Sequence, residues 1–242
     1  MHLILFDIDG TLIRGRGFGR RALERAFHDL FGVAAEDNPA LKSVPFAGNS
    51  DPRIIAEMAR VLGIPPEVLR PRLGEFETAY LAHLRITVAE SDSKEPCPGV
   101  PDLLESLHGH PRLLLGLLTG NVERGARIKL EPFGFNRYFP FGGFGSDADD
   151  RAVMALRARE RAEALAARPF TPADVLVVGD TSADVAAGRV HGFLTAGVAT
   201  GSTGMEALRA AGATAVFEDL STGRGFEGWL LDRWNLGERE RV

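Results

Sequence analysis

The chain has 242 residues, a quarter of which are charged, and a net charge of -5 at pH 7. This length allows one large domain or a main domain with an insertion, and the acidic balance gives no reason to expect nucleic acid or an anionic membrane as a partner. The single cysteine, Cys97, excludes an intramolecular disulfide and a thiolate metal cluster. No apolar run reaches the roughly 18 residues of a membrane span and no leader pattern precedes the first strand, so we expect a cytoplasmic protein.

A short buried strand is predicted at residues 3–6, where four apolar residues occur in a row. The strand is followed by Asp7, Asp9 and then Gly10, which permits a tight turn. Side chains alternate along a strand, so the two carboxylates project the same way and repel each other unless a cation lies between them. Mg2+ fits such a site, completed by water and substrate phosphate. The alternative is an ordinary turn with two solvated carboxylates.

Helices dominate the next part of the chain. The glycine-rich segment 14–20 is typical of a flexible hinge, and residues 86–101, rich in proline and polar side chains, are typical of a linker. Between them the apolar spacing predicts helices and no convincing strand, at 20–31, 52–62, 66–73 and 74–84. We therefore predict a helical insertion over residues 15–91, with a main domain formed by residues 1–14 and 92–242.

A polar turn at residues 46–53 immediately precedes the second of these helices. Ser50 or Asp51 can cap the helix, which is the simplest interpretation. The alternative is that the turn contacts the substrate, because binding residues are often carried by loops on a rigid scaffold. Ser50 and Arg53 are therefore candidate substrate ligands. Further candidates for substrate specificity are the arginines of the hinge, Arg14, Arg16, Arg20 and Arg21.

Strands and helices alternate from residue 112 onward. Apolar strands are predicted at 113–118, 138–141, 174–178, 193–198 and 214–217, with helical segments between and after them. This alternation is typical of a mostly parallel sheet covered by helices on both faces. The predicted fold class is therefore α/β, with a Rossmann-like three-layer core and an inserted helical domain.

Polar residues follow three of the predicted strands. Besides the two aspartates of the first strand, Thr119-Gly120-Asn121 follows the second, and Asp180 and Asp184 follow a later one. Taken singly, the tripeptide indicates a helix cap, and the two acids indicate a turn and a first-turn helix residue. Taken together they indicate a phosphoryl-transfer site, because the carboxyl ends of strands far apart in sequence meet at one edge of such a sheet.

The string DIDGTL at residues 7–12, together with the two later groups, resembles the motifs of the haloacid dehalogenase-like hydrolases. The resemblance covers nearly the whole chain. It is strongest to the subfamily that includes phosphoglycolate phosphatases and β-phosphoglucomutases. It implies a Rossmann-like core with a helical cap inserted after the first motif.

The resemblance also implies a role for each residue of the motifs. Asp7 matches the nucleophile that forms an aspartyl phosphate, and Asp9 matches the general acid and base. Thr119 matches the hydroxyl that holds the transferred phosphoryl group. The implied ligands of Mg2+ are Asp7, the backbone carbonyl of Asp9, and Asp180, with Asp184 in support. The remaining motif residues are candidates for binding the substrate: Gly10, Thr11, Gly120 and Asn121.

One family element departs from its usual form. The third motif normally supplies a lysine, but the chain has no lysine between Phe139 and Asp174. Arg151 is the best positional match, and Lys129 on the preceding helix is the alternative. Arginine carries the charge and can bind phosphate through two nitrogens, although its geometry differs from that of lysine.

Asp9 distinguishes between the reactions of the family. A phosphate ester releases an oxygen that needs a proton, whereas a carbon–halogen bond does not, so an acid at this position favours phosphate esters. We predict a Mg2+-dependent phosphatase for a small phosphorylated metabolite, monomeric or homodimeric, without nucleic-acid or membrane partners. A β-phosphoglucomutase-like phosphomutase and a catalytically weak binding protein of the same fold remain alternatives.

Overall fold

The computed structural model of the chain describes residues 1–15, 17–35, 38–221 and 225–237, so that Arg16 of the hinge lies outside the described residues. In chain order the strands are β1 (His2–Phe6), β2 (Ile13–Arg14), β3 (Glu95–Pro96), β4 (Leu113–Thr119), β5 (Gly142–Phe144), β6 (Val175–Gly179), β7 (Leu194–Val198) and β8 (Ala215–Phe217). The α-helices are α1 (Phe18–Phe31), α2 (Asp51–Val61), α3 (Pro66–Leu69), α4 (Leu73–Ala89), α5 (Val100–Leu107), α6 (Glu123–Leu130), α7 (Arg151–Ala166), α8 (Ser182–Arg189), α9 (Met205–Ala210) and α10 (Phe226–Trp234).

A six-stranded sheet in the order β5-β4-β1-β6-β7-β8 forms the centre of the molecule. All five pairings are parallel. The first strand lies in the interior of the sheet, and its last residue, Phe6, is aligned with Leu117 of β4 and Val178 of β6. The predicted α/β class with a mostly parallel sheet is confirmed.

Helices cover both faces of the sheet, which explains why β1 is apolar throughout and not alternating. Leu3 and Leu5 belong to the same buried cluster as residues of α7 and α8. Ile4 and Phe6 belong to the other cluster, which includes residues of α5, α6 and α10. Each of these four side chains is fully buried.

The described chain between β2 and β3 consists of α1 to α4 with short 3-10 turns and loops, and it contains no strand. The two ends of this segment are neighbours, because β2 and β3 pair antiparallel and Arg14 forms an ion pair with Glu95 at 2.7 Å. This arrangement is compatible with a helical insertion that leaves and re-enters the main domain at one place. The exact division at residues 15–91 stays a prediction.

Three predicted boundaries are wrong. The aromatic run at 138–141 is not a strand, since Phe135–Tyr138 form a 3-10 turn and β5 begins at Gly142. The two glycines of β5 give no apolar pattern to read, and Gly143 packs closely on α7, where a Cβ atom would lie 2.0 Å from the carbonyl oxygen of Met154. The helix α3 ends at Leu69, and α4 continues to Ala89, so the linker starts later than residue 86.

None of the described helices is both long enough and apolar enough to cross a membrane.

Candidate active site

The carboxyl ends of three adjacent strands bring the predicted site residues together. β1 lies between β4 and β6 in the sheet, and the ends of the three strands differ by no more than two residues. Asp7, Thr119 and Asp180 occupy or directly follow these ends. They therefore lie at the same edge of the sheet, where parallel α/β folds bind their ligands.

Asp7 is buried at the end of β1, with 6% of its surface exposed. Its backbone N–H donates to the carbonyl of Val178 at 2.9 Å, and its carboxylate accepts a hydrogen bond from the guanidinium of Arg151. Burial raises the pKa of Asp7 well above its ordinary value; Arg151 opposes the rise, and the carboxylates of Asp184 and Asp180 add to it. A second positive charge at this position would favour the ionised carboxylate.

Arg151 is the first residue of α7, and Asp150 caps this helix by accepting a hydrogen bond from the backbone of Ala152 at 2.9 Å. The guanidinium lies 2.8 Å from Oδ1 of Asp184 and donates to the carbonyl of Leu118 at 3.2 Å. The side chain is only 10% exposed. The arginine that best matches the third motif is thus in direct contact with the candidate nucleophile.

Three buried carboxylates have the geometry of a metal site. Oxygen atoms of Asp7, Asp180 and Asp184 lie within 4.8 Å of one another. Burial, reinforced by Asp184, raises the pKa of Asp180 to about 7. One guanidinium does not balance three carboxylates, and the excess negative charge with oxygen donors suits a hard divalent cation. The residues present therefore fit Mg2+.

Asp184 is the least exposed of the three acids, and short contacts hold both of its oxygens. Oδ2 accepts hydrogen bonds from the backbone and the hydroxyl of Thr181 at 3.0 and 2.6 Å, in a capping box at the start of α8. Oδ1 faces the guanidinium of Arg151 at 2.8 Å. Asp184 is therefore positioned to orient Arg151, which leaves Asp7 and Asp180 as the more accessible ligands for an ion.

The carboxylate of Asp9 is not part of this group of three among the described residues. Its Oδ2 accepts hydrogen bonds from Nζ of Lys129 at 2.7 Å and from Nδ2 of Asn121 at 2.8 Å. The surrounding protein raises the pKa of Asp9 by desolvation, but Lys129 and Asn121 outweigh this effect, and the pKa lies below its ordinary value. Two aspartates of one strand end thus have environments that shift their pKa values in opposite directions, a pattern found where carboxylates have different catalytic roles.

Thr119 and Asn121 form a compact polar unit. The hydroxyl oxygen of Thr119 accepts hydrogen bonds from Nδ2 of Asn121 at 2.7 Å and from its backbone at 3.2 Å. Because both bonds use this oxygen as an acceptor, its own hydrogen remains available for a ligand. Gly120 between them must be glycine, since a Cβ atom there would lie 2.2 Å from the carbonyl oxygen of Asn49.

Gly10 and Thr11 shape the turn after β1. Gly10 has a φ of +88°, and its carbonyl accepts a hydrogen bond from Thr200 at 2.6 Å. The hydroxyl of Thr11 is fully buried and donates to Oδ1 of Asp180 at 3.4 Å. Thr11 thus supports Asp180, and Gly10 leaves room for it, since a Cβ atom there would lie 2.7 Å from Oδ2 of Asp180. The role of both residues as substrate ligands stays a prediction.

The turn before α2 is docked onto the loop that follows β4. Ser50 caps α2 by accepting a hydrogen bond from the backbone of Arg53 at 3.4 Å. The backbone of Asp51 donates to the carbonyl of Gly120 at 2.7 Å, and its buried carboxylate accepts from the backbone of Val122 at 3.0 Å. The turn therefore caps the helix, as the simplest interpretation expected, and its contact with a substrate stays a prediction. Arg53 is exposed and, with Ser50, lines a cavity of about 560 Å3.

A second cavity, of about 360 Å3, lies over the carboxylates. Its polar lining includes Asp7, Asp9, Thr119 and Lys129, and its apolar lining includes Phe18, Phe46 and Ile54. The volume is at the small end of the range for ligand pockets. The cavity therefore suits a small molecule.

Of the hinge arginines, Arg20 lines this cavity but is committed to the fold. Its guanidinium donates to the carbonyls of Leu41 at 2.7 Å and Val44 at 3.1 Å, and it lies 4.1 Å from the ring of Phe46. These bonds use donors that a phosphate would need. Arg20 therefore stabilises the helical segment in this structure.

Residues 1–192 match the family of haloacid dehalogenase-like hydrolases. The chain belongs to this family. None of the curated proteins compared with the chain matches it.

Solved structures share the fold of this haloacid dehalogenase-like hydrolase. CbbY from Rhodobacter sphaeroides in complex with phosphate is 18% identical, with a TM-score of 0.67 over 91% of this chain and 95% of that chain. A mutant of the same protein in complex with xylulose 1,5-bisphosphate gives a TM-score of 0.65 at 18% identity and the same coverage. A predicted phosphoglycolate phosphatase from Haemophilus somnus gives 0.63 at 18% identity, over 91% and 95% of the two chains. At these identities the likeness is one of fold.

The loop after β7, which was not among the predicted site residues, also reaches the site of this hydrolase. The backbone of Ser202 donates to Oδ2 of Asp180 at 3.3 Å, and a Cβ atom on Gly201 would lie 1.7 Å from the same oxygen. The signal was present, because a run of small polar residues directly follows the predicted strand at 193–198. Asp51, expected only as a possible helix cap, also lies at the site, where its carboxylate accepts a hydrogen bond from the backbone of Val122.

Proposed function

We propose that the protein is a Mg2+-dependent phosphatase that hydrolyses a small phosphate monoester through a phosphorylated Asp7. The observation that carries the proposal is the pairing of Arg151 with Asp7 at one side of the small cavity and of Lys129 with Asp9 at the other. A carboxylate nucleophile with an adjacent cation and a second, separately held carboxylate is the set that two-step phosphoryl transfer needs.

In the first step an oxygen of Asp7 attacks phosphorus and the bond from phosphorus to the ester oxygen breaks. Asp9 gives its proton to the departing oxygen, so that the alcohol leaves neutral. Arg151 and the free hydroxyl hydrogen of Thr119 bind the phosphoryl oxygens as negative charge shifts between them. This step ends with an acyl phosphate on Asp7 and an ionised Asp9.

In the second step Asp9 accepts a proton from a water molecule, and the water oxygen attacks phosphorus. The bond between phosphorus and the oxygen of Asp7 breaks, which releases inorganic phosphate and restores the carboxylate. The low pKa of Asp9 favours the ionised form that this step requires, so the proton that Asp9 gives up in the first step is taken up when the substrate binds.

Asp7, the backbone carbonyl of Asp9, and Asp180 would hold the Mg2+ ion, which supplies charge neutralisation for the nucleophile and the phosphate. Thr11 and Ser202 orient Asp180 through hydrogen bonds to its two oxygens. Asp184 orients Arg151 through its contact with the guanidinium at 2.8 Å. The buried carboxylates would otherwise repel an incoming phosphate.

The substrate is a small phosphorylated metabolite of the phosphoglycolate or sugar phosphate type. The size of the cavity over Asp7 supports this choice, and so do the ligands named for the R. sphaeroides structures of the same fold. Residues 15–91 would serve as a cap that closes on this substrate. The hydrogen bonds of Asp51 with the backbone of Gly120 and Val122 support a cap that is in direct contact with the loop after β4.

The test is the hydrolysis of p-nitrophenyl phosphate with Mg2+ and with EDTA, followed by a panel of phosphorylated metabolites. Release that depends on the ion, with a higher kcat/KM for one metabolite, is the expected result. No release under either condition contradicts a phosphatase and favours a binding protein. Activity that requires a sugar bisphosphate as activator contradicts hydrolysis and favours a phosphomutase.

A further inference from the structure

Lys129 is an unusual side chain for the place it occupies. It lies near the end of α6, between the buried residues Ile128 and Leu130, and its side chain is only 7% exposed. Its ammonium lies 2.7 Å from Oδ2 of Asp9 and 5.6 Å from the ring centre of Phe18 on α1. Burying a lysine costs free energy unless a partner compensates the charge, so the contact with Asp9 is a specific one.

The hydrogen bonds of Asp9 are distributed unequally over its carboxylate. The two that the described side chains give it, from Lys129 and Asn121, both end on Oδ2. Asn121 is itself fixed by its bond to Thr119 at 2.7 Å. Oδ1 is therefore the oxygen left to exchange a proton with the substrate.

We propose that Lys129 is a positioning residue for Asp9, which holds Oδ2 so that Oδ1 faces the oxygen of the leaving group. The inference rests on the proposed phosphatase activity. Proton transfer requires donor and acceptor within hydrogen-bond distance, and a displacement of an ångström is enough to slow it strongly. A half-exposed aspartate held by Asn121 alone would rotate more freely than one held by two donors.

The two cations of the site consequently have separate tasks. Arg151 contacts Asp7 and Asp184 and serves the bond that forms to phosphorus. Lys129 contacts Asp9 and serves the proton that goes to the leaving oxygen. Loss of Lys129 should therefore slow esters whose leaving group needs a proton more than esters whose leaving group does not.

Two substrates that differ only in their leaving group can separate the roles of Arg151 and Lys129. The p-nitrophenolate ion leaves readily without a proton, whereas phenolate depends much more on an acid. Because kcat/KM reports the steps up to phosphorylation of Asp7, it is independent of the second step. The comparison uses Lys129→Met, which keeps a long unbranched side chain without the charge, and the control Lys42→Met at an exposed position outside the site.

We expect Lys129→Met to lower kcat/KM for phenyl phosphate on the order of 100-fold, with less than about a tenfold loss for p-nitrophenyl phosphate, in line with the contribution of general acids. Lys42→Met should be unchanged on both. In an Asp9→Asn background, Lys129→Met should cause little further loss, because residues that act as one unit are not additive.

Equal losses on the two esters, or full additivity with Asp9→Asn, would overturn the proposal, and so would an undiminished rate. Thermal unfolding of Lys129→Met and Lys129→Gln checks the fold, and a failure of both variants to fold would assign Lys129 to stability instead. A wild type that hydrolyses neither ester contradicts the proposed function itself. An active wild type with an unaffected Lys129→Met contradicts only the role of Lys129.

Discussion

Arg151 and Asp7 are 144 residues apart in the sequence and share a hydrogen bond at the carboxyl edge of the sheet. The same guanidinium lies 2.8 Å from Asp184, so it connects the end of β1 with the start of α8. We expect this arginine to take the place of the lysine that the family normally supplies. Its planar group can face two carboxylates at once, which a single ammonium does less well.

Replacing Arg151 should therefore be costly. We expect Arg151→Ala to lower kcat/KM by about 10³-fold or more, the scale of a lost transition-state cation, and Arg151→Lys to retain part of the activity. The measurement is steady-state hydrolysis of p-nitrophenyl phosphate. The control is Arg157→Ala on the same helix, where an exposed arginine pairs with Glu160. Nearly wild-type activity of Arg151→Ala would show that another group supplies the charge.

Asp7→Asn should abolish turnover while the protein still folds. The amide is not a nucleophile towards phosphorus, whereas its size and polarity match the carboxyl group. Since burial and neighbouring acids disfavour the ionised Asp7, the neutral amide should not lower the unfolding temperature. Activity and thermal unfolding are measured together, with the exposed Asp102→Asn as control. Undiminished hydrolysis by Asp7→Asn would exclude a phosphorylated Asp7.

Mg2+ should stabilise the folded protein, because an ion that binds only the native acid cluster adds its binding free energy to folding. At a concentration about 100 times the dissociation constant this amounts to ~2.7 kcal/mol. The expected result is a rise in Tm of several degrees, about 5–10 °C for a chain of this size. Asp180→Asn should remove most of the rise, whereas Asp232→Asn at an exposed position should keep it. An equal rise in Asp180→Asn would contradict a site at Asp180.

The buried Asp51 should make stability depend on pH. Burial raises its pKa to about 6, whereas an unfolded chain has the ordinary value of about 4. Between these values the folded state binds the proton more tightly than the unfolded state, so the free energy of unfolding falls as pH rises from about 4 to about 6. The fall attributable to Asp51 is roughly 3 kcal/mol, from ~1.4 kcal/mol per unit over about two units.

Asp51→Asn cannot ionise and should lack that part of the fall. The measurement is urea unfolding of the wild type and of Asp51→Asn at pH 4.5 and 6.5, and the quantity compared is the difference between the two proteins at each pH. The other titrating groups are common to both and cancel. A difference that is the same at both values of pH would show that Asp51 keeps its ordinary pKa in the folded protein.

The strand ends could be predicted from the sequence because local patterns determine them. Four apolar residues followed by two aspartates specify where β1 stops. The same holds for Thr119 after β4 and Asp180 after β6. The parallel topology then brings these residues to one edge, and no long-range detail is needed. The two carboxylates after β1, expected to share a cation, instead have different partners, since Asp9 contacts Lys129 and Asn121.

The contacts of the long side chains of Arg151 and Lys129 could not be predicted from local sequence patterns. Arg151 and Lys129 were alternatives for one position in the sequence analysis, whereas in the structure each contacts a different aspartate. Which acid a cation meets depends on the rotation of its helix against the sheet, and this is set by packing. The role of Asp51 could not be predicted for the same reason. An acid in the first turn of a helix is ordinary in a sequence, and only the packing of α2 shows that this carboxylate accepts a hydrogen bond from Val122.

The raised pKa of Asp180 bears on how the acid cluster would take up a metal. With a pKa of about 7, this carboxyl holds a proton in roughly half of the molecules at neutral pH. An entering cation must displace that proton, so its affinity weakens on acidification and its binding heat includes the ionisation of the buffer. Competition between hydrogen ions and the metal should then lower the activity of the enzyme as the pH falls below neutral.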